Sequence, residues 1–76
     1  MLDFRFGISD SRGVTIGETI RKQRRKLKLH QYQLAATIGV SQSTLSDWEN
    51  GVQEPRSGRL SIIAKVLRIS VSRLVA

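Results

Sequence analysis

The sequence predicts an all-α fold, a compact bundle of five helices, and three observations carry that prediction. From Thr15 onward, apolar residues recur at three- and four-residue spacings. The helices so marked are joined by connections of only a few residues. No segment after Thr15 has the strict alternation of a half-buried strand. The 76 residues suffice for a single domain, since a chain this short buries only about 60% of the surface it exposes when unfolded. An apolar share of 39% beside 25% charged residues belongs to a folding chain rather than to a disordered tail.

Residues 1–14 mix Asp3, Asp10, Phe4, Phe6, two glycines and two serines without a sustained period, and they read as a loosely ordered arm. Phe4 and Phe6 around Arg5 would also suit a short edge strand or a dimer contact, a reading that a frayed terminus outweighs. The folded domain is expected over residues 15–76. At its start Thr15 is an N-cap with Glu18 three residues on, the spacing of a capping box, and Ile16, Ile20 and Leu27 share a face of the first helix. A second helix spans 31–38, with Leu34, Ala35 and Ile38 as its buried stripe, and Gly39 ends it. Val40 is an apolar turn residue and Ser41 a good N-cap for a third helix over 42–50. In that helix Leu45 and Trp48 face inward and leave Gln42, Ser43, Ser46, Asp47 and Asn50 more exposed. Asn50 and Gly51 make a stop, and 52–58, with the only proline, reads as a loop. Leu60, Ile63, Ala64 and Leu67 mark a fourth helix, and Ser70 caps a short fifth over 71–74.

Several functions are excluded early. Without cysteine there is no disulfide, thiolate zinc site or thiol nucleophile. His30 is the only histidine, so no second imidazole is present to share a metal with it, and neither metal nor cofactor is expected. Nothing spaces Ser, His and Asp as nucleophile, base and orienter, and so small a bundle has little room for a water-excluding pocket; neither an enzyme nor a small-molecule binder is expected. No signal-like or membrane-spanning apolar run occurs, which points to the cytoplasm and the nucleoid. Thirteen Lys and Arg oppose six Asp and Glu, a net charge of +7, and six of the cations fall between Arg21 and Lys28. That excess attracts polyanions, but charge alone does not choose among nucleic acid, an anionic membrane and an acidic protein.

The choice is made by residues 31–51, QYQLAATIGVSQSTLSDWENG. Two short amphipathic helices flank a Gly-Val-Ser turn, with small Ala35 where they must approach and Leu45 to clamp their angle, which is helix-turn-helix geometry. The outward row of the second helix consists of short amides and hydroxyls, side chains able to reach base edges in a major groove that admits one helix.

From the first helix to the fifth, LKLHQYQLAATIGVSQSTLSDWENG, then Pro55, then LSIIAKVLRISVSRL, the chain resembles the Cro and phage-repressor type of helix-turn-helix domain, the XRE family. The resemblance covers residues 15–75 and rests on the spacing of Gln31, Leu34, Ala35, Gly39, Val40, Ser41, Leu45, Glu49, Gly51 and Pro55. It implies a lambda-repressor-like fold and a DNA-binding regulator, a repressor that meets a pseudo-palindromic operator in double-stranded DNA as a homodimer. It also implies roles. Gln42, Ser43 and Asp47 fall at base-reading positions, with Ser46 and Asn50 nearer the sugar-phosphate rim. Gln31 falls where the family's glutamine meets a phosphate and braces the recognition helix, and Thr44 where a phosphate or a thymine methyl is in reach. Arg24 and Glu49 match an ion pair between the first helix and the recognition helix. Arg56 and Arg59 fall where the chain approaches the DNA backbone. The dimer is further motivated by the apolar end Ile69, Val71, Leu74 and Val75, more than a last short helix should expose.

There are departures from the pattern. His30 stands where a stronger cap is usual, Val52 and Glu54 occupy loop positions where relatives carry cations, and Ser57 and Gly58 weaken the start of the fourth helix. Trp48 reads as a packing residue rather than a base-stacking platform, and Tyr32 equally as a phosphate donor or as a surface aromatic. The alternative function is an antitoxin that represses its own promoter and binds a protein toxin through residues 1–14. Membrane binding through the first helix is disfavoured by its thin apolar stripe, interrupted by Gln23.

Overall fold

The computed structural model describes residues 15–75, so the N-terminal arm and the partner assigned to it lie outside the described residues. Five helices follow in order, α1 (Ile16–Lys26), α2 (Gln31–Ile38), α3 (Gln42–Asn50), α4 (Ser57–Leu67) and α5 (Val71–Val75). Among the described residues there is no strand, and no helix is long and apolar enough to cross a membrane.

Local chemistry starts and stops these helices. The Thr15 hydroxyl accepts from the Glu18 amide at 3.1 Å while the Glu18 carboxylate accepts from the Thr15 amide at 3.0 Å, so the capping box of α1 is complete. The Ser41 and Ser70 hydroxyls accept from the third amide of α3 and of α5, each at 3.1 Å. Gly39 and Gly51 close α2 and α3 at φ 90° and 78°, a left-handed conformation that costs glycine little. The His30 imidazole makes no capping bond to α2. Instead the Gln33 side chain reaches back and accepts from the His30 amide at 2.8 Å, a contact not anticipated from the sequence.

The core consists of Ile20, Leu34, Ala35, Ile38, Leu45, Trp48, Ile63, Ala64, Leu67 and Leu74, contributed by all five helices. Helix α1 packs on α3, α4 and α5, while α2 packs on α3 and α4. Three expectations are corrected. Leu27 lies just past the end of α1, partly buried against the core. Helix α4 begins at Ser57 and thus includes the weak formers Ser57 and Gly58, because its inward face from Leu60 onward supplies burial that propensity does not. Leu74 is no part of an exposed apolar end: α5 extends to Val75 and turns this leucine into the core at 1% exposure.

One close approach sets the geometry of all that follows. Gly17 is buried in α1, and a β-carbon on it would lie 2.0 Å from the backbone carbonyl oxygen of Trp48. The absence of a side chain at residue 17 is what lets α1 lie directly against α3.

Candidate nucleic-acid interface

Helices α2 and α3 form a tight corner. The amides of Gly39 and Val40 both donate to the Ala35 carbonyl at 2.9 Å, so the backbone reverses within one turn and α3 starts at once on Ser41. Leu45, Trp48 and Glu49 occupy the buried side of α3. On the other side Gln42, Ser43 and Asn50 are exposed, whereas Thr44, Ser46 and Asp47 are half-buried and so more recessed than their spacing suggests. Trp48, only 5% exposed, has no free face to offer a base.

Glu49 is the buried charged residue of the core. Arg24 meets it with two hydrogen bonds, Nε to Oε2 at 2.7 Å and Nη2 to Oε1 at 3.0 Å, and spends Nη1 on the Leu29 carbonyl at 2.9 Å. Arg24 and Glu49, brought to one pair by the family resemblance, therefore form a two-pronged ion pair that ties α1 to α3. Sequence reasoning missed two further donors. Gln31 Nε2 donates to Glu49 Oε1 at 3.1 Å, and Arg21 Nε approaches the same oxygen at 3.4 Å while its Nη2 bonds Asn50 Oδ1. Arg21 was legible in part, since it lies three residues before Arg24 on α1, a spacing that puts two side chains on one face. Burial by itself would raise the Glu49 carboxyl. Hydrogen bonds from Arg24 and Gln31, the Arg24 charge and the Arg21 contact outweigh burial and hold the group below its ordinary value, ionised at neutral pH.

The network continues to the outer surface. Gln42 Nε2 lies 3.4 Å from Gln31 Oε1, and Asn50 Nδ2 donates to Ser46 Oγ at 3.2 Å. The base-reading candidates Gln42 and Ser46, and the backbone candidate Asn50, are thus joined through other side chains to one buried carboxylate, while Ser43 and Thr44 gather around the Ser41 hydroxyl at 3.2 and 2.9 Å. Arg56, the N-cap of α4, makes no side-chain cap bond, and it and Arg59 are exposed. A shallow depression of about 420 Å³ brings both arginines beside Ser41 and Thr44 at the start of α3, with Glu54 on the same rim. Tyr32 is exposed and stacks on His30, with ring centroids 5.5 Å apart and planes 8° from parallel.

This arrangement presents one helix of small polar side chains, braced from behind and flanked by cations, as a convex edge of the size a major groove admits. Comparison with known proteins agrees. The family model described as helix-turn-helix matches residues 20–74. The HTH-type transcriptional regulator DicA of Escherichia coli is 39% identical over 61 residues, which are 80% of this chain and 45% of that protein. Repressor protein C2 of Salmonella phage P22 is 38% identical over 60 residues, 79% of this chain and 28% of that protein. The chain therefore spans less than half the length of these curated relatives. A crystal structure of the P22 c2 repressor with a synthetic operator superposes with a TM-score of 0.78 at 36% identity, covering 83% of this chain and 96% of that one. The Bacillus subtilis regulator SinR, in complex with DNA, gives 0.73 at 33% identity over 79% of this chain and 97% of that one.

Proposed function

From the premise that the chain belongs to the helix-turn-helix family of the Cro and phage-repressor type, we propose that it is a sequence-specific, non-enzymatic transcriptional repressor that binds a pseudo-palindromic operator as a homodimer in the bacterial cytoplasm. The observation that carries this reading is the α3 surface: an outward row of amides, hydroxyls and one carboxylate whose inner side is fixed to α1 through Arg24 and Glu49. Gln42 reads a base through its amide, the Asp47 carboxylate accepts from a base amino group, and Ser43 and Ser46 contact neighbouring base edges. Gln31, Thr44, Asn50, Arg56 and Arg59 hold the backbone, with Arg24 adding its charge behind them. The operator of the P22 c2 complex and the DNA of the SinR complex support this assignment by likeness.

A second copy of the chain docks on the α4–α5 end. Its apolar exposure comes from Ile62, Val71 and Val75, between 41% and 48% exposed, with Ile69 partly buried beside them. Two copies so joined would set their α3 helices roughly 34 Å apart, one turn of DNA.

Selection of sites from random duplexes tests the reading. The expected product is a two-fold symmetric motif that loses preference at one base pair per half-site in a Gln42→Ala protein, by roughly 1–3 kcal/mol. An Arg56→Ala protein should bind all sequences more weakly, and affinity should fall with salt by a slope of about 0.9 per neutralised phosphate. Recovery of no motif, or a flat salt dependence, sinks the proposal.

A further inference from the structure

Glu49 carries one negative charge and meets two guanidinium groups. Arg24 bonds both carboxylate oxygens, and Gln31 Nε2 adds a second bond on Oε1 at 3.1 Å. Arg21 Nε comes to that same Oε1 at 3.4 Å, the longest of these contacts, against an oxygen whose two lone pairs are already in use. The carboxylate is therefore neutralised by Arg24, whose side chain is 11% exposed, and the positive charge left over rests on Arg21, whose side chain is 33% exposed. No other acid of α1 or α3 cancels it: the Glu18 carboxylate closes the capping box on Thr15, and Asp47 makes no ion pair among the described residues.

Donors gather around that charge. A guanidinium has five N–H groups, and with one on Glu49 and one on the Asn50 oxygen Arg21 keeps the rest without a partner among the described residues. Asn50, exposed at the last position of α3, turns Oδ1 to Arg21 and gives one N–H to Ser46 at 3.2 Å, so its second N–H is also left over. Several N–H groups around a surplus positive charge suit an anion with several acceptor oxygens, as a phosphate has. Arg21 springs from α1, which lies against α3 through Gly17, and it comes to the end of α3 from the flank rather than from the outward row of that helix. Contacts from such a flank fall on the DNA backbone, and they place the protein without reading sequence.

We propose that Arg21 binds a backbone phosphate of the operator: with Asn50 as second donor, it makes the seam between α1 and the end of α3 a phosphate site. The inference rests on the operator binding proposed above, and it adds to that reading a direct DNA contact from α1. Arg24, enclosed and spent on Glu49 and the Leu29 carbonyl, neutralises the carboxylate and so leaves the charge of Arg21 for the phosphate.

The test uses the full chain and the selected operator, with the native protein beside Arg21→Gln and Arg21→Met, which remove the charge, and Arg21→Lys, which keeps it. Arg24 and Gln31 still satisfy Glu49 in all three variants, and circular dichroism reports their folding. From about 50 to about 200 mM salt, the affinity of the uncharged variants should fall about 3- to 4-fold less than that of the native chain, the share of one phosphate at a slope of about 0.9. Arg21→Lys should follow the native slope. Operators with single phosphates replaced by uncharged methylphosphonate locate the contact: at one position per half-site the replacement should weaken the native chain and leave the uncharged variants unaffected. Discrimination among base pairs should stay native throughout. A folded uncharged variant with the native salt slope and the native response at every replaced phosphate makes Arg21 a purely structural cation; it overturns the inference and leaves operator binding standing. Relaxed preference at a single base pair overturns it too, since Arg21 would then be a base reader. A native chain that selects no operator removes the inference together with the function it rests on.

Discussion

The α1–α3 contact and the α4–α5 end solve opposite problems. Where α1 meets α3, Gly17 lets the backbones touch and a buried carboxylate is satisfied by Arg24, Arg21 and Gln31. At the α4–α5 end, Ile63, Ala64, Leu67 and Leu74 are buried by apolar packing, and Ile62, Val71 and Val75 are left over at the surface. A hydrogen-bonded ion pair is satisfied in one geometry, whereas apolar groups accept several packings at nearly equal cost. The first contact therefore holds α3 at a set angle. The second supplies burial and leaves apolar side chains at the surface.

The sharpest way to break this contrast is to alter one methyl group on each side. Gly17→Ala adds a methyl at 2.0 Å from the Trp48 carbonyl, where backbone rather than a flexible side chain must give way. It should lose about 3 kcal/mol, the upper range for overpacking and a large fraction of what so small a domain has. Ile63→Val removes a methyl from the apolar side and should lose about 1 kcal/mol. Urea denaturation of the two proteins measures both. Equal midpoints would mean that the α1–α3 contact is no less adaptable than the α4–α5 end.

Acid separates the two regions next, because only one of them holds a buried carboxylate. In the folded chain the hydrogen bonds and charge of Arg24, with Gln31 and Arg21, outweigh burial and hold the Glu49 pKa below its ordinary unfolded value. Its contribution is therefore fully present above that value and is lost as pH falls toward the folded pKa. Within that window one extra proton binds the unfolded chain, so stability should drop by up to about 1.4 kcal/mol per pH unit. Stability measured from pH 7 to pH 3 should show this slope in the native chain, and in Glu49→Gln the slope should shrink by the share of that one group. An unchanged slope would show that Glu49 does not carry the acid sensitivity of the fold.

The contrast also explains what could be read in advance. Helices were legible wherever a cap and a stripe agreed, as at Thr15 with Glu18 before Ile16 and Ile20, or Gly39 and Ser41 around the turn. Gly17 was not, since in a sequence an interior helix glycine registers only as a propensity penalty, and its reason is the Trp48 carbonyl far along the chain. The fate of Leu74 was hidden for a similar reason: a five-residue helix gives no period from which to tell its inward side. Arg24 and Glu49 were joined by family resemblance alone, because no spacing within either helix links them. That resemblance had Gln31 meet a phosphate and brace the recognition helix, but it did not name Glu49 as the partner, a bond that depends on the distance between two helices. Arg21 was hidden by abundance, one cation among six in a short run.

The smallest expected effect sharpens the comparison most, because the same substitution can be made in each region. Lys28, after α1, and Arg68, after α4, both hold left-handed conformations, at φ 60° and 63°, where a β-carbon is disfavoured. Glycine at either position relieves that cost and gives part of it back as unfolded-chain entropy, so each should gain about 0.5 kcal/mol in a urea titration. Their coupling to the buried carboxylate should differ. Lys28 lies between Arg24 and Leu29, which are joined by a backbone bond of 3.1 Å and by the Arg24 guanidinium on the Leu29 carbonyl at 2.9 Å. Loosening residue 28 therefore loosens the arginine that holds Glu49. In double-mutant cycles with Glu49→Gln, Arg68→Gly should be additive within about 0.5 kcal/mol, the range of independent sites, and Lys28→Gly should not. Additivity at both positions would detach the end of α1 from the ion pair and confine the rigid contact to Gly17 and the side chains around Glu49.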